Sequence, residues 1–414
     1  MDRYLIEKNG SLNGEVLIGG AKNSVLGLMA ASILCKGTTI INNVPIVNDV
    51  LNLIELMKSI GSEIKINNHQ LIINNKNIDP SIVLDYEKTK ELRASYYLLG
   101  SLIGRFHYAC VSMPGGCNIG SRPIDLHIKG FKLLGTDINL DDGNIKAEAQ
   151  KLVGQKIYLD FASVGATINI MLSAVLADGT TIIINAAKEP HVIDVANMLN
   201  KMGAEIKYAG TDTIVIKGVK ELKEIEYTTI PDQIEAGTFL IAGAITKGNV
   251  TIKNIIPEHM NCITYKLREM GCKINTYNDS INVQRTTLLN PVRISTAPYP
   301  GFPTDMQPQF AVLMGLANGV STLEENIFEN RFLYVDEMSR LGADMRVSGN
   351  TNIIFGVNKY KKATVCAPDL RAGAALVLAG LTSSLKLDNV HLIERGYEDF
   401  DKKLNNLGAK IKKI

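Results

Sequence analysis

The chain has 414 residues, 46% apolar and 21% charged, which is enough apolar material for two cores of roughly 200 residues each. Its 44 basic and 42 acidic residues nearly cancel and form no tail of one sign, which argues against a nucleic-acid or membrane-surface binder. The start, MDRYLIEKNG, is charged where a secretory signal needs an apolar core, and no stretch reaches about 18 uninterrupted apolar residues, so a cytoplasmic protein is expected.

In chain order, one pattern recurs six times: LMKSIGSEI, FKLLGTDI, MLNKMGAEI, KLREMGCKI, EMSRLGADM and KLNNLGAKI, with glycines at Gly61, Gly135, Gly203, Gly271, Gly342 and Gly408. The spacings of 74, 68, 68, 71 and 66 residues are too even for chance and too long for a typical solenoid. Each glycine follows helical periodicity and sits where a helix C-cap residue belongs. After each of the first five comes alternating, strand-like sequence. Upstream, segments such as AVLADGTTIIINAA read as a helix, a Gly turn and a strand. Each unit is therefore predicted as helix, strand, helix, strand, strand. Six such units divide into two domains of three, with the junction expected at 227–233 (YTTIPDQ), where Pro231 ends a strand, and a second hinge at Gly19-Gly20.

Several loops carry residues suited to chemistry. In GGAKNS two glycines and Lys22 open a helix, a place that suits phosphate, although the Walker spacing is absent and such a lysine can equally be a solvated one. Arg93 opens a helix in ELRASYYLLG. In MPGGCNIGSRPIDLH three glycines surround Cys117, with Arg122 five residues on; an accessible thiol near a cation is a candidate nucleophile or proton donor. Asp232 and Asp369 stand at helix starts, where an aspartate is usually an N-cap. Asp305 (FPTDMQPQF), Arg371 (DLRAGAAL) and Arg395 (IERGYEDF) fall in loops of matching position, and such arginines suit a small polyanionic substrate. The other five cysteines read as small buried side chains, and scattered Cys and His predict neither disulfides nor zinc.

These segments, with SVGATINIM, NAAKEPHVID, PDQIEAGTF and FENRF, resemble the UDP-N-acetylglucosamine 1-carboxyvinyltransferases over essentially the whole chain. The resemblance implies a two-domain inside-out α/β barrel of six βαβαββ units, three per domain. Residues 21–229 would form one domain and residues 1–20 plus 230–414 the other. It implies transfer of the enolpyruvyl group of phosphoenolpyruvate to the 3-hydroxyl of UDP-N-acetylglucosamine, the first committed step of peptidoglycan precursor synthesis, with no cofactor or metal. Cys117 corresponds to the proton donor, open to covalent attack by a phosphonate epoxide, and Asp305 to the base. Lys22, Asn23, Arg122, Arg371 and Arg395 correspond to phosphoenolpyruvate ligands. Arg93, Arg122, Pro123, Ile124, Asp125, Leu126, Ser163, Val164, Asp305 and Ile327 correspond to nucleotide-sugar contacts. With ligands drawn from both domains, closure on the nucleotide sugar is expected. Some relatives carry lysine where Phe161 stands and arginine where Gln233 stands, which leaves the nucleobase and diphosphate contacts there open. The rival readings are a shikimate-phosphate enolpyruvyl transferase, which lacks this cysteine loop, and a non-catalytic nucleotide-sugar sensor.

Overall fold

The computed structural model describes the chain except residues 1, 9, 85–88, 90–92, 114–118 and 121–122, and the side chains of 93 and 94. Cys117 and Arg122 thus lie outside the described residues, as does the side chain of Arg93. The strands alternate buried and more open positions, as in Thr213–Lys217 and Ser280–Gln284, so each sheet has one face on a core and a second, more open face. Two kinds of helix follow from two kinds of sequence. Val164–Ala174, Gln233–Ile245 and Leu370–Ser383 are apolar or small on nearly every side and are buried all round. Asn48–Ser59, Pro190–Lys201 and Asn261–Glu269 are amphipathic and bury one stripe.

The amphipathic helices are the ones that end at the six repeated glycines. All six glycines have positive φ, between 77° and 107°, a backbone conformation that Cβ makes costly. At each, the glycine N–H and the next residue's N–H turn back onto the last helical turn, as in Gly203 to Asn200 and Ala204 to Leu199. This is the Schellman arrangement, repeated six times. The sixth glycine, Gly408, is also followed by a strand, Lys410–Lys413, which its sequence alone did not predict.

The chain forms two compact units. One comprises residues 20–230 apart from a short stretch including Ile119 and Gly120; the other comprises residues 1–19 and 231–414 together with Ile119 and Gly120. Every four-stranded sheet is built on one plan, a parallel pair followed by two antiparallel steps. In the first unit a sheet runs Lys156–Tyr158, Thr180–Ile184, Thr213–Lys217, Glu205–Lys207. A second uses Ile225–Thr228 as the parallel partner of Thr38–Asn42. In the third, Leu84 bridges Val111 in the same outer place.

In the second unit the N-terminus completes two sheets. Asn13–Leu17 pairs in parallel with Asn249–Lys253. Arg3–Glu7 lies between Leu385–Asp388 and Lys410–Lys413, antiparallel to both. At the boundary, the Asp232 N–H donates to the Gly19 carbonyl (2.9 Å) within the second unit, and the Ala21 N–H to the Ile230 carbonyl (2.8 Å) within the first. Gly20 is obligatory there, since a Cβ would stand 1.7 Å from the Asn43 carbonyl oxygen. Among the described residues no helix is long and apolar enough to cross a membrane.

Candidate active site

In the first unit, Lys22 is the first residue of helix Lys22–Ser32 and is buried, with its Nζ 3.0 Å from Asp49 Oδ2. The solvated alternative for this lysine is therefore corrected: the ammonium is held by a carboxylate that is itself buried, in the first turn of helix Asn48–Ser59. Removing either partner of such a pair leaves an uncompensated buried charge. Asn23 is half-buried beside it. Ser163 is the N-cap of helix Val164–Ala174, accepting from the Ala166 N–H at 3.3 Å, so part of its hydroxyl's capacity is structural. Val164 opens that helix. Pro123 and Asp125 are exposed and Ile124 and Leu126 half-buried, at the start of helix Asp125–Leu133. Arg93 opens the 3-10 turn Arg93–Tyr96. Phe161 is exposed, and Gln233 begins helix Gln233–Ile245.

In the second unit, Asp305 lies in the 3-10 turn Thr304–Met306 and bridges two arginines. Arg331 Nη2 donates to Oδ1 at 2.9 Å; Arg371 Nε and Nη2 donate to Oδ2 at 3.2 and 3.1 Å. Both arginine side chains are 3% exposed and the Asp305 side chain 29%, so the carboxylate is the accessible member of the cluster. Arg371 also stacks over the Tyr397 ring at 5.2 Å. Burial works against its charge, but Tyr397, Asp305 and Asp232 more than offset that, and the guanidinium is held firmly protonated. Tyr397, whose phenol burial keeps protonated, shares hydrogen bonds with Thr238 (2.8 Å) and Gln309 (3.2 Å). Among the described residues, Arg331 Nε and Arg371 Nη1 are buried donors without an acceptor. Each such donor costs roughly 1–3 kcal/mol, which a bound anion or hydroxyl offsets.

Glu325 organises this corner. It is 3% exposed and accepts from the Thr296 and Thr304 hydroxyls (2.9 Å each) and from the Ile327 and Phe328 amides (2.9 and 3.2 Å). One carboxylate thereby ties the turn bearing Asp305 to the loop bearing Ile327, which lines an open cavity of about 430 Å³ with Phe328 and Asn350. Arg395 is half-buried in the turn after Val390–Leu392. Asp232 and Asp369 are N-caps, each accepting from two first-turn amides. Ile119 and Gly120, from the cysteine loop, belong to this unit, where the Asn330 N–H donates to the Ile119 carbonyl at 3.0 Å.

The structure thus brings Asp305 and Arg371 into contact and adds Asp49, Arg331, Glu325 and Tyr397, which the sequence did not single out. Arg331 and Tyr397 lay in segments already conspicuous, FENRF and IERGYEDF. Asp49 and Glu325 gave no signal, since an acidic residue in a first helical turn or after a strand is ordinary. Of the five cysteines outside the loop, Cys35, Cys110 and Cys272 are buried as expected, whereas Cys262 and Cys366 are only partly covered.

A profile of the EPSP synthase (3-phosphoshikimate 1-carboxyvinyltransferase) family matches residues 6–404. The enolpyruvyl transferase NikO from Streptomyces tendae superposes with a TM-score of 0.88 at 25% identity, over 100% of this chain and 98% of that one. EPSP synthase from Acinetobacter baumannii, at 18% identity and a TM-score of 0.78 with 100% of both chains covered, shares the fold. These likenesses define the class as enolpyruvyl transferases. UDP-N-acetylglucosamine 1-carboxyvinyltransferase 1 of Caldanaerobacter subterraneus subsp. tengcongensis is 49% identical over 412 residues, 99% of each chain. UDP-N-acetylglucosamine 1-carboxyvinyltransferase 2 of Clostridium tetani is 49% identical over 418 residues, 100% of each. The chain belongs to the UDP-N-acetylglucosamine 1-carboxyvinyltransferase family.

Proposed function

We propose that the protein transfers the enolpyruvyl group of phosphoenolpyruvate to the 3-hydroxyl of UDP-N-acetylglucosamine, releasing phosphate, in the cytoplasm as the first committed step of peptidoglycan precursor synthesis. One observation carries this: relatives of that name are 44–49% identical over nearly the whole chain. The two EPSP synthase structures stand at 18%, so the shikimate reading is disfavoured. In the reaction, Cys117 gives a proton to C3 of phosphoenolpyruvate and C2 becomes cation-like. The sugar oxygen adds to C2, the C2–O bond to phosphate breaks, and C3 loses a proton to restore the double bond. Lys22, Asn23, Arg122, Arg371 and Arg395 hold the donor's phosphate and carboxylate. Arg93, residues 122–126, Ser163, Val164 and Ile327 hold the nucleotide sugar.

Asp305 orients the sugar hydroxyl and takes its proton. A carboxylate between two guanidiniums is a weak base, which suffices here. Once the oxygen bonds to a cation-like C2 its proton is strongly acidic, and Asp305 acts late. The test is phosphate release with both substrates, and with each alone. Release with shikimate 3-phosphate as acceptor, or no release at all, would overturn the reading. A phosphonate epoxide mimicking the donor should alkylate Cys117, as mass spectrometry of the inhibited protein would show. Cys117→Asp should retain turnover and resist the epoxide, because a carboxyl, with a reference pKa of ~4 against ~8.5 for a thiol, still supplies a proton. An adduct on another cysteine, or wild-type activity in Cys117→Ser, would remove Cys117 from the mechanism.

A further inference from the structure

The helix that begins with Lys22 and Asn23 starts without the usual support. Its N-cap is Ala21, which has no side chain to accept from the first-turn amides. What holds the turn is tertiary. Asp194, 1% exposed, accepts hydrogen bonds from the Ser24 hydroxyl, from the Tyr227 hydroxyl at 2.6 Å and from the Ile230 amide at 3.4 Å. Ile230 in turn accepts from the Ala21 amide. Residues 21–24 and 227–230 therefore close a ring through one buried carboxylate. Helix Pro190–Lys201, which carries Asp194, lies tight against helix Lys22–Ser32: a Cβ on Gly27 would stand 2.6 Å from Val195 Cγ2. Glycine at 27, one turn after Ser24, sets the spacing at which Ser24 and Asp194 meet. Burial pushes the Asp194 carboxyl up, and the Ser24, Tyr227 and Ile230 donors work against this.

We propose that Asp194 is a positioning residue for the phosphate-bearing substrate, fixing through Ser24 the turn that presents Lys22 and Asn23. This rests on the reading of those two residues as phosphoenolpyruvate ligands. Asp49 holds the ammonium of Lys22, and Asp194, through the Ser24 hydroxyl, holds the helical turn from which that side chain springs. A merely structural carboxylate would treat its two hydroxyl donors alike. The positioning role makes them unequal, since Ser24 lies two residues from Lys22 and Tyr227 lies on a separate strand, Ile225–Thr228.

The experiment compares Ser24→Ala, Tyr227→Phe and Asp194→Asn by steady-state kinetics in both substrates, thermal unfolding, and hydrogen exchange over residues 22–26. Ser24→Ala should raise the KM for phosphoenolpyruvate by about 10-fold, the scale of losing one charge-assisted hydrogen bond. The KM for UDP-N-acetylglucosamine should stay within about 2-fold, and exchange at 22–26 should quicken. Tyr227→Phe should lower Tm comparably yet leave the phosphoenolpyruvate KM within about 2-fold. Adding Asp194→Asn to Ser24→Ala should raise that KM little further, because both act through one contact. An unchanged phosphoenolpyruvate KM in Ser24→Ala, or equal changes in Ser24→Ala and Tyr227→Phe, overturns the proposal. Should Asp194→Asn fail to fold, the two hydroxyl variants still decide it. If the wild type releases no phosphate from the two substrates, the functional reading fails instead, and exchange at 22–26 in Ser24→Ala still reports whether Asp194 fixes the turn.

Discussion

Asp305 sits where two buried guanidiniums converge, and its substitution separates chemistry from stability. Asp305→Asn removes the carboxylate charge that bridges Arg331 and Arg371. The stability lost should fall between the ~1 kcal/mol of an exposed pair and the ~3–5 kcal/mol of a fully buried one, because Asp305 is partly open to solvent while both arginines are not. If Asp305 also takes the sugar proton, kcat should drop on the order of 100-fold or more with nucleotide-sugar binding within a few-fold. Denaturant unfolding and titration calorimetry on one preparation check both; a near-normal kcat would leave Asp305 only a positioning role. Away from the site, burial pushes the Cys272 thiol up to about 11. The unfolded chain's thiol ionises near ~8.5, so the folded form retains its proton longer. The stability this gives is whole below about pH 8.5 and is lost as pH rises through about 11, an effect on the order of 3 kcal/mol. Urea midpoints of wild type and Cys272→Ala at pH 8 and 11 test it, since the variant should lose less stability over that interval. Equal losses would show that the thiol plays no part. At this scale the sequence was legible where a residue's role is local: Asp232 and Asp369 cap helices as their positions implied. It was silent on Asp49 and Arg331, whose roles depend on partners 27 and 26 residues away.

At the scale of elements, the six Schellman endings were legible because the rule is local: a glycine after an amphipathic helix needs positive φ whatever surrounds it. The surroundings still set the cost of replacing each one. At Gly203 nothing stands within 4 Å of an added Cβ, so Gly203→Ala should cost only the backbone strain, roughly 1–2 kcal/mol. At Gly61 the Cβ would meet the Asn77 carbonyl oxygen at 2.3 Å, backbone that cannot swing aside. Gly61→Ala should therefore be clearly worse, by at least a further ~1 kcal/mol. Equilibrium urea unfolding measures both, and equal costs would mean that the loop at Asn77 yields easily. Strand pairing was less legible. Alternation marks a strand and its buried face, but the parallel partner of Thr38–Asn42 comes from Ile225–Thr228, and no local pattern announces a neighbour so distant in sequence.

Across the whole molecule, the strand Arg3–Glu7 ties residues far apart in sequence, Leu385–Asp388 and Lys410–Lys413, into one sheet. It occupies an interior place in its sheet, and Tyr4 and Ile6 are among the buried residues of that core. Deleting residues 2–8 should strip both neighbours of their ladder bonds and expose the core beneath. Limited proteolysis should then digest the second unit while residues 20–230 resist; protection of 231–414 equal to wild type would contradict this. The same placement has a consequence for synthesis. Residues 20–230 can form their three sheets as soon as they clear the ribosome, because Ile225–Thr228 arrives with them. Strands Arg3–Glu7 and Asn13–Leu17, made before their partners, have no place to go at that moment. Asn13–Leu17 waits for Asn249–Lys253, and Arg3–Glu7 for Leu385–Asp388 and Lys410–Lys413. Arg3–Glu7 therefore stays unpaired until both of its neighbours have been made, a strand with buried Tyr4 and Ile6 that must be kept from other partners in the meantime.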